Sequence, residues 1–308
     1  SWRDELFYWD YVIGMVIFSL LLALTLGTFG PEGRPFFQDI AQADSSAILS
    51  IIIGGVIFNL SNICLSASTS IAGMSVAFPV GCGLALVLGV INNLRVEMSQ
   101  GALKSNLTLL AIGVALVVVA VILNGVASGK KAGNAEISKA DQRKGIILAV
   151  VAGVVMSFFS SFVMKAMDLK DFANMEPGKV GPYTAIVVFS LAVLVSHFVF
   201  GPIFMKWPFQ GAPVKMSEYF KGNSKTHLVG MLGGCIWCLG TALSYIAAGK
   251  AGASVSYALG QGAPMVAAIW GVFVWKEFKG SNKTVYGLLG AMFCFFLVGL
   301  GMIVAAGM

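Results

Sequence analysis

Four apolar stretches of this chain each carry a line of polar or amphipathic side chains at helical spacing. Asn59, Asn62 and Ser66 stand at i, i+3 and i+7, and Ser254, Tyr257 and Gln261 repeat that spacing. Trp237, Thr241, Ser244 and Tyr245 form a third stripe, and Ser157, Ser161 and Lys165 a fourth. Amides, hydroxyls and indoles arranged in this way hold a molecule by hydrogen bonds and stacking; they do not break its bonds. The candidate solute-binding set is therefore Asn59, Asn62, Ser161, Trp237, Thr241, Tyr245, Tyr257 and Gln261. The bland alternative is that Ser and Thr tie helices together, at about 0.6 kcal/mol each, and that Trp237, Tyr257 and Trp270 simply pack or anchor at an interface. Asp10, Lys165 and His197 are the candidates for ion coupling, because a buried carboxylate, amine or imidazole can take up and release a proton. Asp10 and Lys165 also read as interfacial residues with solvated heads.

No catalytic constellation accompanies them. The two histidines, His197 and His227, lack metal-ligand spacing, and G-x-S-x-G, H-E-x-x-H and a complete phosphate loop are all absent. The five cysteines lie inside apolar runs and read as packing residues, including the Cys235 and Cys238 pair. The expectation is a protein that is not an enzyme and that uses no metal and no cofactor.

Of the 308 residues, 57% are hydrophobic and 11% charged, and the mean hydropathy is +0.86. Composition of this kind excludes a soluble enzyme, since a soluble domain carries about 25% charged residues. Nine apolar runs are long enough to cross a bilayer: 8–29, 47–68, 71–92, 105–127, 145–166, 181–205, 227–248, 254–275 and 284–306. They are apolar on every face, which excludes barrel strands and leaves an all-α, polytopic membrane protein. The net charge of +6 belongs to short loops rather than to a nucleic-acid surface. Of the 20 Lys and Arg, 13 fall on the side that holds the start of the chain and 7 on the other, which makes the first side cytoplasmic and the C-terminus external. The chain starts at Ser1 without a signal peptide and reads as cut from a longer protein.

The chain also matches itself. At an offset of 179 residues, Gly54, Gly55, Ile57 and Leu60 fall on Gly233, Gly234, Ile236 and Leu239. The same offset sets Ala72, Gly73, Ser75, Val76, Gly81, Gly83 and Val87 on Ala251, Gly252, Ser254, Val255, Gly260, Gly262 and Val266, eleven identities in 34 positions. The displacement is five spans, and an odd displacement reverses orientation, so the halves form an inverted repeat. The first repeat covers 1–128, a polar linker 129–144 and the second repeat 145–308. The span at 145–166 has no partner, and the partner would precede the first span, which points to a ten-helix parent. Pro79 with Gly81 and Gly83, and Pro264 with Gly260 and Gly262, should interrupt the paired third and eighth spans as hinges near the midplane. For most glycines close helix contact suffices as the reason.

Several segments resemble the ureide permease family, within the drug/metabolite transporter superfamily that also holds glucose/ribose porters and rhamnose transporters. They are YWDY at 8–11, LTLGTFGPEGRPFF, GGVIFNLSNICLSAS, SFFSSFVMKAMD, PYTAIVVFS, MKWPFQGAP, and the block from Ala253 to Thr284. The resemblance implies two inverted five-helix halves around a cavity, peripheral fourth and ninth spans of this chain, and uptake of small polar metabolites, proton-coupled in plant members. It also implies cytoplasmic termini, opposite to the charge count, and the longer central loop of plant members with its phosphate-loop-like motif is absent here. The reading is a secondary transporter in a bacterial inner membrane, moving a ureide, nucleobase or sugar by alternating access with proton coupling. A drug or metabolite exporter and a solute receptor that does not transport remain as alternatives. The expected partners are a small polar solute, protons and the bilayer, with no nucleic acid; homodimerisation stays open.

Overall fold

Residues 3–30, 33–72, 74–132, 139–274, 276 and 278–308 are described by a computed structural model. Among them there is no strand, only one isolated bridge between Met167 and Val180. Eight helices in this set are long and apolar enough to cross a membrane, and the chain is an all-α, multi-pass membrane protein. In chain order the elements begin with α1 (Asp4–Leu24), α2 (Leu26–Phe29), α3 (Phe36–Gln42), α4 (Ser45–Ala72), α5 (Met74–Gln100), α6 (Leu107–Ala132) and α7 (Lys139–Ala166). There follow α8 (Pro182–Lys206), a 3-10 helix (Met216–Lys221), α9 (Ser224–Ala251), α10 (Ala253–Gly260), α11 (Ala263–Ile269), a π turn (Trp270–Val274) and α12 (Lys283–Ala306).

The eighth predicted span is thus built from three pieces, α10, α11 and the π turn. Its break falls at Gln261 and Gly262, where the Gln261 N–H donates to the carbonyls of Tyr257 and Ala258 and the Gly262 N–H to that of Leu259 (2.9 Å). Pro264 supplies no N–H to the carbonyl of Gly260 one turn back, so the ladder cannot run straight through. The paired third span was expected to break as well, at Pro79, Gly81 and Gly83, but α5 is continuous. Pro79 leaves the Ser75 carbonyl without its ladder donor but does not end α5, and of the two glycines only Gly81 serves a close contact. A Cβ at Gly81 would stand 2.7 Å from Leu65 Cδ1, whereas one at Gly83 would meet nothing within 4 Å. The polar stretch 129–144 is also shorter as a linker than its composition implied. α6 runs to Ala132 and α7 starts at Lys139, and 133–138 lie outside the described residues.

α1 packs on α8 and α9, α4 on α7 and α8, α5 on α6, α7 and α10, and α6 on α12. Under the 179-residue correspondence α1 matches α8, α4 matches α9, α5 matches α10 and α11, and α6 matches α12. The α1–α9 contact then maps onto α4–α8, while α1–α8, α5–α10 and α6–α12 map onto themselves. The matched crossings use matched glycines. A Cβ at Gly55 would stand 2.9 Å from the Phe189 carbonyl oxygen, and one at Gly234 would stand 1.9 Å from that of Tyr11. Backbone meets backbone at both crossings, the arrangement that small residues permit between helices in lipid.

Candidate functional site

A cavity of about 320 Å³ opens at the end of the molecule that holds the start of α1, within the range of roughly 300–1,000 Å³ usual for small-molecule sites. Three helical stripes build its wall: Asp4 and Tyr8 from α1, Ile63, Ser66, Ala67 and Ser70 from α4, and His197, Gly201 and Phe204 from α8. Residues 208–211 form the rim. Arg3 ties that rim to α1, donating to the Ala212 carbonyl (2.6 Å) and to Glu5 (2.6 Å). The hydrogen bond to Glu5 pushes the guanidinium further above its ordinary pKa. Ser70 Oγ donates to Asp4 (3.1 Å). At the inner end Asn62 Nδ2 donates to Tyr8 Oη (3.1 Å), and the His197 ring lies 4.9 Å from that of Tyr8 and 4.4 Å from that of Trp9.

Deeper along α4 and α9 the interior is closed by aromatic rings. Trp237 packs on Phe58 (4.5 Å between centroids) and stacks on Phe189 (5.9 Å); Tyr245 meets Phe189 edge-on and Tyr257 meets Phe159 (6.2 Å). Tyr257 sits on Gly89, where a Cβ would fall 2.3 Å from its ring, and its hydroxyl donates to the Ala85 carbonyl (3.0 Å). Tyr245 is buried and its hydroxyl has no partner among the described residues. The candidate residues Trp237, Tyr245 and Tyr257 thus join one aromatic layer, each packed on Phe58, Phe159 or Phe189. Trp270, the other candidate, is half exposed on the π turn.

Asn59 Nδ2 donates to Ser196 Oγ (2.8 Å) and to the Val193 carbonyl (3.3 Å), crossing from α4 to α8. Ser161 back-bonds to the Phe158 carbonyl of its own helix (2.8 Å), Thr241 is half-buried on α9, and Gln261 is half-buried at the α10–α11 break. Lys165 is exposed at the end of α7. Of the predicted solute residues, Asn62 alone bonds to a residue of the cavity wall; of the ion-coupling candidates, His197 stands in that wall. At the expected hinges, a Cβ at Gly260 would meet nothing within 4 Å and one at Gly262 would approach the Leu259 carbonyl oxygen (3.1 Å). The side chains of Pro79 and Pro264 lie outside the described residues.

Asp10 faces away from the cavity, buried between α1 and α9. Tyr219 of the 3-10 helix donates to its Oδ1 (2.5 Å), and His227 Nδ1 lies 2.9 Å from both carboxylate oxygens. Burial, and then the bond to Asp10, push the Tyr219 phenol above its ordinary pKa. A second buried carboxylate, Glu97 near the far end of α5, accepts from Ser254 N (2.6 Å) and Ser254 Oγ (2.9 Å) at the start of α10. Sequence reasoning passed over Tyr219 and Glu97 and set His227 aside. The first and last are more than 200 residues from Asp10, and Glu97 lay beyond the expected end of its span at 92. All five cysteines are free, and among the described residues no three His, Cys, Asp or Glu side chains gather into a metal-sized site.

The far end is cross-linked by hydrogen bonds. Arg34 bonds Asp39 (3.4 Å) and the carbonyls of Lys179 (3.1 Å), Glu176 (3.1 Å) and Met175. Asp39 accepts from Gly181 N (2.7 Å), and Gln42 both donates to the Lys179 carbonyl (2.8 Å) and accepts from Gly178 N (2.7 Å). The loop before α4 and the loop before α8 thus form one hydrogen-bonded lid, and Lys104 adds a tie from the α5–α6 loop to the carbonyls of Lys170 (3.3 Å) and Gly249.

The family model described as Ureide permease matches residues 7–144 and 136–306. Ureide permease 1 of Arabidopsis thaliana is 23% identical over 349 residues, covering 97% of this chain and 88% of that protein. Ureide permease 2 of the same plant is 22% identical over 360 residues with the same coverage. An L-rhamnose-proton symporter of Yersinia pestis bv. Antiqua (strain Antiqua) is 26% identical over 137 residues, 43% of this chain and 39% of that protein.

Proposed function

Because the chain belongs to the ureide permease family, we propose that this membrane transporter of small solutes is a secondary transporter that moves a ureide, nucleobase or sugar by alternating access. The observation that carries the reading is the contrast between the two ends: a cavity lined by three helical stripes at one, a hydrogen-bonded lid at the other. A carrier in one of its two end states has that form. In this reading the halves 1–128 and 145–308 rock about the glycine crossings of α1 with α9 and α4 with α8. The aromatic layer around Trp237, Tyr245 and Tyr257 parts to admit the solute, with Asn59 and Asn62 as its hydrogen-bonding neighbours and the α10–α11 break as a hinge. Proton coupling is supported by the two carboxylates held inside the helices, Asp10 and Glu97, and by the symporter among the relatives. The membrane is the inner membrane of a bacterium.

Reconstitution in proteoliposomes tests this. Uptake of labelled allantoin, uracil or L-rhamnose should be driven by an inward proton gradient and lost in Asn59→Ala. Binding of one of these solutes without uptake under any gradient would favour a receptor instead.

A further inference from the structure

The segment between α8 and α9 sets exposed aromatic rings among lysines. On α8 a row of exposed side chains at four-residue spacing, Val195, Val199 and Ile203, faces lipid, and Trp207, 63% exposed, continues it just past the helix end. The exposed row of α9 starts at Leu228 and Leu232, and Phe220, 77% exposed, stands on the 3-10 helix that precedes it. Both rings therefore lie where lipid-facing rows end, the level at which amphipathic rings gather between hydrocarbon and headgroups. Lys206, Lys215 and Lys225 are exposed around them and form no ion pair among the described residues. Lys206 Nζ sits over the Trp207 ring (4.5 Å to its centroid). Lys221, by contrast, is answered by Glu218 (2.6 Å).

A topology signal needs the lysines but not the rings set among them. Three unanswered ammonium groups beside two rings suit a partner that is anionic at its head and apolar below it, and a phospholipid with a net negative headgroup has that form. The segment is also fastened to α1. Tyr219, next to Phe220, donates to Asp10, and Arg3 donates to the carbonyls of Gln210 (3.4 Å) and Ala212 (2.6 Å). A lipid that holds this segment at the bilayer surface thereby holds the start of α1 and the cavity rim. We propose that the α8–α9 segment is a docking surface for anionic phospholipid, with Lys206, Lys215 and Lys225 on the headgroup phosphates and Trp207 and Phe220 at the boundary with the acyl chains. The proposal needs only the multi-pass fold and stands apart from the transporter reading.

Phosphatidylglycerol is the probe. The full chain taken from nanodiscs of equal phosphatidylglycerol and phosphatidylcholine should retain the anionic lipid in preference to the zwitterionic one in native mass spectrometry. Combining Lys206→Gln, Lys215→Gln and Lys225→Gln should lower that preference, by about fivefold for each lysine that reaches a phosphate. The same three positions changed to Arg should keep it, which separates loss of charge from loss of fold. The fluorescence of Trp207, taken as the difference between wild type and Trp207→Phe, should be quenched more by brominated phosphatidylglycerol than by brominated phosphatidylcholine, and raised salt should narrow the gap. Equal retention of the two lipids, an unchanged preference in the Gln variant, or equal quenching of Trp207 by both would each overturn the proposal. A Trp207 signal that neither lipid quenches would also overturn it, and would show that the ring faces water or another protein chain.

Discussion

Asp10 is gripped by two groups from the other half of the chain, and its buried carboxylate has consequences that can be titrated. Tyr219 is raised by burial and by its bond to Asp10. A group with a raised folded pKa contributes stability that is fully present below its unfolded value, about 10 for tyrosine, and lost as pH rises through the folded one. The difference between the 295 nm titrations of the wild type and Tyr219→Phe should therefore show a phenol ionising above pH 10, and Asp10→Asn should bring that phenol down; an unmoved phenol in Asp10→Asn would break the assignment. Asp10 was visible in the sequence as a carboxylate at the mouth of an apolar run. Its partners were not, because contacts spanning more than 200 residues leave no local periodicity. The aromatic residues Trp237, Tyr245 and Tyr257 were legible as a group for the same reason that Tyr8 was missed: helical stripes show which side chains share a face, not what that face meets.

Among the elements, glycine crossings carry the sharpest expectations. A Cβ at Gly234 would sit 1.9 Å from a backbone oxygen of α1, which cannot swing aside, whereas one at Gly260 would meet nothing within 4 Å. Gly234→Ala should lower stability by about 1–3 kcal/mol, the usual cost of overpacking, and Gly260→Ala should leave it nearly unchanged. Thermal unfolding in detergent separates the two, and equal Tm values would show that the α1–α9 crossing is looser than its geometry. Apolar run length was enough to find the spans, since lipid leaves the backbone few choices. It misjudged the end of α5, because the amides at 92 and 93 and then Glu97 looked like the approach to a loop. Each is answered within the bundle: Asn92 by Ser157, Asn93 by Gly89 and Ser160, and Glu97 by Ser254. Polarity ended the predicted span where neighbouring helices continue it.

For the molecule as a whole, the lid at the far end is held mainly by Arg34 and Gln42. Removing the guanidinium should shift the balance of end states toward opening there. Labelling of a cysteine introduced as Phe172→Cys, a buried site in the α7–α8 loop, should quicken several-fold when Arg34→Ala is added, and an unchanged rate would place the lid's strength elsewhere. The break in the eighth span bears on the lipid as well as on the protein. Gly260 is exposed and its carbonyl receives no donor from Pro264, while hydrocarbon tails have none to give. Lipid facing that oxygen offers it no donor, so the break is expected to draw water or headgroups toward it. Activity in bilayers of short-chain lipids is then expected to exceed that in long-chain ones, where the oxygen lies deeper in hydrocarbon.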